Sequence, residues 1–400
     1  VLAEATRLLG SRGAEAICAR EPLIDLETPK TADLDLLVFA DVDALLPERL
    51  VLDPHRFAHN RIDLIWLPVA SLDDPMALAG NGLVAHRLAS SRLVHARDAQ
   101  GMEEKIAAVH TRLFDPIPQH QRLTGFCEMG FLAVREVGVT WDFPAMALFW
   151  LHMAHAACIA VILDAGHGFC PNVYTRPMGY VRKATALLQV DLEEPFRRAL
   201  FLETPLEALI ERVRRVHALV DKQFPEPAWP VAMRATTRYE YRYFRDRAEL
   251  DWRIAAAQEM ADRGDLAAAV FYLRFWAYSL ARLPMVHQRA LEGQDVSFVR
   301  PERAIRPELE RLCPYILEDL SEILAPHGLG RTEVEASLAH LDSLRTHALG
   351  FAAARGITIA SPRPWLPFQP RPKQGIGKTI IPSEGTRTGR QQPEQGDGYE

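Results

Sequence analysis

The chain has 400 residues, of which 48% are hydrophobic and 24% charged, so most of it folds as a soluble globular protein with more core than one ordinary domain holds. A formal net charge of -6 argues against general nucleic-acid binding and leaves only a local basic groove open to it. Five scattered cysteines, Cys18, Cys127, Cys158, Cys170 and Cys313, form no CxxC pair, which excludes a disulfide framework or a zinc ribbon and suits a reducing, cytoplasmic setting.

Taken in chain order, the first hundred residues alternate short apolar runs with turns. The runs are Arg7 to Leu9, Leu34 to Ala40 and Ile62 to Val69. They predict the strands of a small mixed-sheet domain over residues 1–101. Val1 is not a methionine, so the sequence leaves open whether residues precede it.

Leu8-Leu9-Gly10-Ser11-Arg12-Gly13 reads as a strand end, a tight Gly-Ser turn and a helix start. At a helix N-terminus, backbone N–H groups and the Ser11 hydroxyl offer donors to phosphate oxygens, and glycine permits the close approach.

Thr31-Ala32-Asp33-Leu34-Asp35-Leu36-Leu37-Val38-Phe39 sets two carboxylates two residues apart at the head of an apolar run. On a strand these positions share a face, and two like charges so placed call for a cation. Hard oxygen ligands suit Mg²⁺, which takes one or two protein carboxylates and substrate oxygens. A later run, Arg61 to Leu67, carries Asp63 amid apolar neighbours. Paired beside the first strand, it makes a three-carboxylate site with room for two ions that clamp an in-line displacement at phosphorus. Each piece alone has a plainer reading: a solvated turn for the acid pair, an edge-strand charge for Asp63.

From Met102 to about Ala354 the pattern is amphipathic helix, broken by Pro and Gly clusters, so residues 102–358 predict an all-helical bundle. Met146 to Leu163 is the longest apolar stretch, but it carries His152 and His155 and is short for a membrane span, so it reads as a buried helix. These two histidines, three apart, share a helix face; without an acid or cysteine partner at suitable spacing they read as packed core groups before metal ligands. Arg282 to His287 and Arg212 to His217 both show an Arg-x4-His spacing, which two unrelated occurrences in an arginine-rich chain attribute to chance. The aromatics at Tyr239 to Phe244 and Phe271 to Tyr278 read as core or as a ligand pocket. Residues 359–400, rich in Pro, Gly and polar residues, predict a disordered tail.

The order Gly10-Ser11, Asp33-x-Asp35, Asp63 resembles the nucleotidyltransferase superfamily that includes the aminoglycoside nucleotidyltransferases and the small nucleotidyltransferases of toxin–antitoxin pairs. Leu88 to Asp98 is similar to that family's segment after the third acid. The resemblance covers roughly the first hundred residues. It implies an α+β fold, with a nucleotidyltransferase domain ahead of the helical bundle, and transfer of a nucleoside monophosphate, with AMP from ATP foremost. Asp33, Asp35 and Asp63 would hold metal, and Gly10, Ser11 and Arg12 the triphosphate. About twenty residues separate Ser11 from Asp33, more than in compact members, which implies a surface insertion.

The segment Phe169 to Lys183 is similar to a helical stretch in the small-molecule enzymes of the family where a basic residue approaches the phosphates, which implies such a role for Lys183 or Arg176. Glu128, isolated among apolar neighbours, is the candidate general base, with burial expected to raise its carboxyl pKa. The first expectation is a small-molecule hydroxyl acceptor with release of pyrophosphate. Transfer to a protein or RNA, and nucleotide sensing without turnover, remain open, as does the oligomeric state.

Overall fold

The computed structural model describes residues 2–20, 34–41, 49–51, 61–141, 143–171, 173–174, 177–202, 204–231, 235–294, 305–324 and 330–359. The expected tail lies outside them from residue 360 onward. All described residues belong to one compact unit that runs to Leu366. The fold is α+β: mostly helical, with one small mixed sheet.

The chain opens on α1 (Leu2–Ser11), followed by β1 (Ala14–Arg20), β2 (Leu34–Ala40), β3 (Arg49–Val51) and β4 (Arg61–Pro68). After a 3-10 turn come α2 (Pro75–Gly80), α3 (Gly82–Ala89), β5 (Ser91–Ala96) and α4 (Ala99–Arg112). The boundary expected at 101/102 therefore falls inside a helix. The sheet order is β3-β4-β2-β1-β5, with β2 and β4 parallel and the other neighbours antiparallel.

Strand alternation gives the sheet two apolar faces. Ile17, Leu36, Val38 and Ile62 pack on one face with Ala5 and Leu9 of α1. Cys18, Leu37 and Phe39 pack on the other with Leu78, Val84, Leu88, Ile106 and Val109 from α2, α3 and α4.

The strand expected at Arg7 to Leu9 is instead the last turn of α1. Ala5 and Leu9, one turn apart and both fully buried, supply the apolar stripe, and Arg7 pairs with Glu4 on the solvent side. β1 gave no strand signal because its inward positions are largely alanine, whose small side chains carry little β propensity. It occupies the first part of the stretch between Ser11 and Asp33 that resembled an insertion; residues 21–33 of that stretch lie outside the described residues.

The helical part continues with α5 (Pro116–Val139), α6 (Pro144–Ala165), α7 (Pro177–Leu188), α8 (Glu193–Ala199) and α9 (Leu206–Gln223). Then follow α10 (Ala235–Arg245), α11 (Arg247–Asp262), α12 (Leu266–Ala281), α13 (Leu283–Leu291), α14 (Ile305–Leu312), α15 (Pro314–Leu324) and α16 (Arg331–Ala353). α6 is the axis of this bundle. Its apolar composition and length match a membrane span, yet 89% of that apolar window is buried inside the protein, chiefly against α5 and α16.

Polar groups in this core are satisfied locally. Arg274 of α12 is fully buried and donates to the carbonyl oxygens of Leu200 (2.9 Å), Phe201 (2.8 Å) and Ile323 (3.0 Å) and to Thr204 Oγ1 (3.0 Å). Leu200 caps the C-terminus of α8 and Ile323 sits in the last turn of α15, so one guanidinium closes two helix ends whose free carbonyls carry partial negative charge. Burial lowers its pKa to about 9, which still leaves it charged at neutral pH.

His152 and His155 are core groups, as the sequence pattern suggested. Nδ1 of His155 donates to Leu151 O at 2.7 Å, which leaves Nε2 to accept from His340 Nδ1 of α16 at 2.9 Å. Burial, with the neighbouring imidazole of His340, pushes the His155 pKa down to about 3. Burial and then the Arg274 charge push His152 well below the ordinary value.

These buried groups set how stability responds to pH and to substitution. In the unfolded chain an imidazole takes its proton near pH 6.5, whereas folded His155 resists protonation down to about 3. Stability is therefore complete above the unfolded value and falls as pH drops below it, by about 1.4 kcal/mol per pH unit for each such histidine. Urea titrations at neutral pH and near pH 5 measure this loss, and His155→Gln should flatten it; an equal slope in wild type and variant would refute the assignment. Arg274→Met removes the guanidinium donor from the carbonyls of Leu200, Phe201 and Ile323, leaving Leu200 O only its 3.4 Å contact with His152 Nε2, and should cost about 3 kcal/mol or more. Arg274→Lys should fail to restore it, because an ammonium does not span the same fan of acceptors. Denaturant midpoints close to wild type in both variants would count against this role.

Candidate functional site

The parallel ladder between β2 and β4 sets the geometry of the acids. Asp35 and Asp63 are register partners on adjacent strands, flanked by the pairs Leu34 with Ile62 and Leu36 with Leu64. Adjacent strands lie about 4.8 Å apart, so these two backbone positions are immediate neighbours. By alternation they stand on the face of Leu37, Phe39, Ile65 and Leu67, the face covered by α2, α3 and α4. They occupy the start of both strands, ahead of the apolar stretch that the helices cover. Asp33, two residues before Asp35, lies outside the described residues, as does Arg176. Among the described residues no group of three or more His, Cys, Asp or Glu side chains is placed to hold a metal ion. The side chains of Asp33, Asp35 and Asp63 are outside that description.

The Gly-Ser turn is not where a phosphate cradle requires it. Gly10 and Ser11 close α1 at its C-terminus, where carbonyls rather than N–H groups are free and the helix dipole repels anions. The Ser11 hydroxyl donates to Leu8 O at 2.8 Å, and the N–H groups of Arg12 and Gly13 donate to Leu9 O and Gly10 O. Gly10 lacks a side chain because His95 of β5 lies against it: a Cβ there would stand 3.2 Å from the imidazole Nε2.

The turn is also at the wrong end of the sheet. It leads into Ala14, which pairs with Ala40 at the far end of β2 from Asp35, about 17 Å along the strand. α1 packs on the opposite face from the acid row. Gly10, Ser11 and the exposed Arg12 are therefore not brought to the acids.

Glu128 is exposed on α5, so the burial expected to tune it is absent. Its neighbours in sequence, Phe126 and Gly130, turn inward, and the 3.6-residue period carries position 128 outward. Lys183 is exposed on α7, 5.3 Å above the ring of Tyr180, on a helix that packs mainly against α6, α8 and α12.

A second cluster of ionisable groups was not apparent from the sequence pattern. Asp164, at the end of α6, is fully buried and accepts from Arg122 of α5 at 2.6 and 3.0 Å and from His86 Nε2 of α3 at 2.7 Å. Arg122 also donates to Ala79 O of α2 at 2.5 Å, and Gln119 donates to the Asp164 carbonyl at 2.8 Å. His86 Nδ1 accepts from the backbone N–H of Cys170 at 2.8 Å, and the Cys170 thiol lies 3.4 Å from the same nitrogen.

Cysteine, imidazole and carboxylate in that order are the parts of a nucleophilic triad. Cys170 is buried, and the His86 Nδ1 lone pair that would take its proton already accepts from the Cys170 backbone N–H. Burial, and then the Asp164 charge, push the Cys170 thiol well above its ordinary value, which favours the neutral thiol. Burial would raise the Asp164 carboxyl as well, but the hydrogen bonds from His86 and Arg122 outweigh it and hold the group ionised. The cluster is a polar clasp between the sheet's helices and the bundle. A lone Asp after an unbroken apolar run was the available signal, since a charge at the end of a buried helix needs partners.

No family model matches the chain, and neither a curated protein nor a solved structure matches it.

Proposed function

We propose that this chain is a Mg²⁺-dependent nucleotidyltransferase that moves a nucleoside monophosphate, AMP foremost, from a nucleoside triphosphate to a hydroxyl of a small molecule. The reading rests on one observation: Asp35 and Asp63 are register partners at the head of adjacent parallel strands, with Asp33 two residues upstream of Asp35. Carboxylates at neighbouring positions on separate strands are a donor set that suits a divalent cation.

Asp33, Asp35 and Asp63 would hold the metal, which when bound neutralises phosphate oxygens and aligns them for in-line displacement. The acceptor oxygen forms its bond to the α-phosphorus as the bond from that phosphorus to the β-phosphate oxygen breaks. Pyrophosphate leaves with the electron pair, and the hydroxyl proton passes to water. Glu128 is exposed and is assigned no part in the step.

A second reading, nucleotide sensing without turnover, is favoured by the exposure of Glu128, the candidate general base. A toxin-like transfer to protein or RNA has no feature of its own here to support it.

Thermal unfolding with each of the four nucleoside triphosphates, in Mg²⁺ and in EDTA, tests the binding half of the proposal. A ligand at a hundredfold excess over its dissociation constant stabilises by about 2.7 kcal/mol, enough to shift the melting temperature visibly. One nucleotide should stabilise the wild type only with Mg²⁺, and Asp35→Asn or Asp63→Asn should abolish the shift. No shift with any nucleotide removes both readings. Incubation with α-phosphate-labelled nucleotide and a panel of hydroxyl acceptors then separates them: pyrophosphate release with labelled product supports transfer, and tight binding without release supports sensing.

A further inference from the structure

α5 and α16 both pack against α6, and a pocket remains between the three helices. Ala157, Cys158 and Val161 of α6 are its buried floor, and Phe126 and Cys127 of α5 and Arg345 of α16 stand around it. It holds about 370 Å³ of empty space, part of it open to solvent, near the lower end of the roughly 300 to 1,000 Å³ usual for small-molecule sites. Close-packed interiors leave few voids larger than a water molecule, so a space of this size between helices has a local cause. Ala157 and Cys158 are too short to fill it. Phe126 is held toward α3: its ring stands edge-on to His86, centroids 5.6 Å apart, and a Cβ added at Gly82 would lie 3.2 Å from its tip.

Apart from two thiols, these six residues bring one polar group to the pocket, the Arg345 guanidinium. Its side chain is 23% exposed, and Nη2 donates to Asp342 Oδ1, one turn back on α16, at 2.6 Å. The charge also reaches the floor: burial, and then Cys127, push the Cys158 thiol up, and Arg345 opposes them. The Asp342 side chain is 68% exposed, and an ion pair so open to water holds the guanidinium only weakly.

We propose that this pocket binds a small monocarboxylate, whose apolar body of one ring or a short alkyl chain lies on Ala157 and Val161 and whose carboxylate meets Arg345. Charge complementarity selects the class. A cation at the partly exposed side of an otherwise apolar space favours a ligand with one anionic end, and a guanidinium offers paired N–H groups in the geometry a carboxylate accepts. The competing occupant is a neutral apolar molecule held by the floor alone. Neither the inference nor the nucleotidyltransferase reading depends on the other.

The experiment uses the full chain with benzoate, hexanoate and benzyl alcohol as probes. Isothermal titration gives their dissociation constants, and the rate at which Cys127 reacts with the uncharged reagent dithiodipyridine locates the occupant. Cys127 is partly exposed while Cys18, Cys158, Cys170 and Cys313 are buried, and Cys127→Ser identifies its share of the reaction. Benzoate or hexanoate should bind about tenfold more tightly than benzyl alcohol and slow the labelling of Cys127. Arg345→Gln should erase that preference. Asp342→Asn, which removes the competing carboxylate, should tighten benzoate by about two- to fivefold and leave benzyl alcohol unchanged. Ala157→Leu, which fills the floor, should abolish binding of all three.

Equal affinity for benzoate and benzyl alcohol, or benzoate binding that survives Arg345→Gln, overturns the carboxylate assignment. Labelling of Cys127 that no probe slows overturns the site itself. Should Ala157→Leu fail to fold by circular dichroism, the two rim variants, whose side chains are partly open to water, carry the test alone.

Discussion

The clasp around Asp164 is the interaction on which the arrangement of the molecule depends. It draws side chains from α3, α5 and α6 and a carbonyl from α2 into one buried node, and it fixes the Cys170 backbone as well. Burying a carboxylate and a guanidinium is expensive, and only geometry that satisfies most of their donors and acceptors offsets the loss of solvation. Here the guanidinium makes a two-point contact with the carboxylate and a third contact with Ala79 O, while His86 fills a further carboxylate lone pair. Removing one partner leaves a buried charge unpaired, typically a loss of about 3 to 5 kcal/mol. Apolar packing alone holds helices together without fixing their angle; this node fixes how the sheet's helices meet the bundle.

That junction explains why the sheet part behaves as one compact unit with the helices rather than as a separate module. α2 and α3 cover one face of the sheet through Leu78, Val84 and Leu88, and α2 carries on its other side the carbonyl that receives Arg122. The covered face is the one whose parity the Asp35 and Asp63 positions share. The opposite face belongs to α1, and the C-terminal placement of Gly10 and Ser11 follows from that packing: Leu9 must point into the sheet and Gly10 must clear His95.

The bundle repeats the same physics without acids. Arg274 has carbonyl and hydroxyl partners on two helix ends, and the His155 to His340 contact joins α6 to α16 through neutral imidazoles whose proton positions are dictated by Leu151 O. Such groups hold the helices in one register at the cost of acid tolerance, because their neutral form is the one the core accepts. Free cysteines in this environment are inert; burial raises Cys158, Cys170 and Cys313 above the ordinary thiol range.

Much of the architecture was legible in the residues themselves. The apolar runs of β2 and β4, the helical periodicity after Met102 and the buried character of α6 all follow from side-chain pattern, because strand and helix periods leave distinct marks. The two-residue spacing of Asp33 and Asp35 was legible for the same reason. What pattern did not supply was everything that depends on which segment lies beside which. α1 was hidden because three apolar residues suit either period, and β1 because alanine announces neither. Whether Asp63 lies beside Asp35, whether Gly10-Ser11 faces them, and whether Glu128 is buried are questions of register, sheet order and helix rotation. The parallel pairing of β2 with β4 decided the first, the antiparallel course of β1 decided the second, and the face that α5 turns to the bundle decided the third. Asp164 stands between the two cases: its sequence position demanded partners, but only the meeting of α3, α5 and α6 determined that they are His86 and Arg122, since long-range neighbours are chosen by packing and not by the local chain.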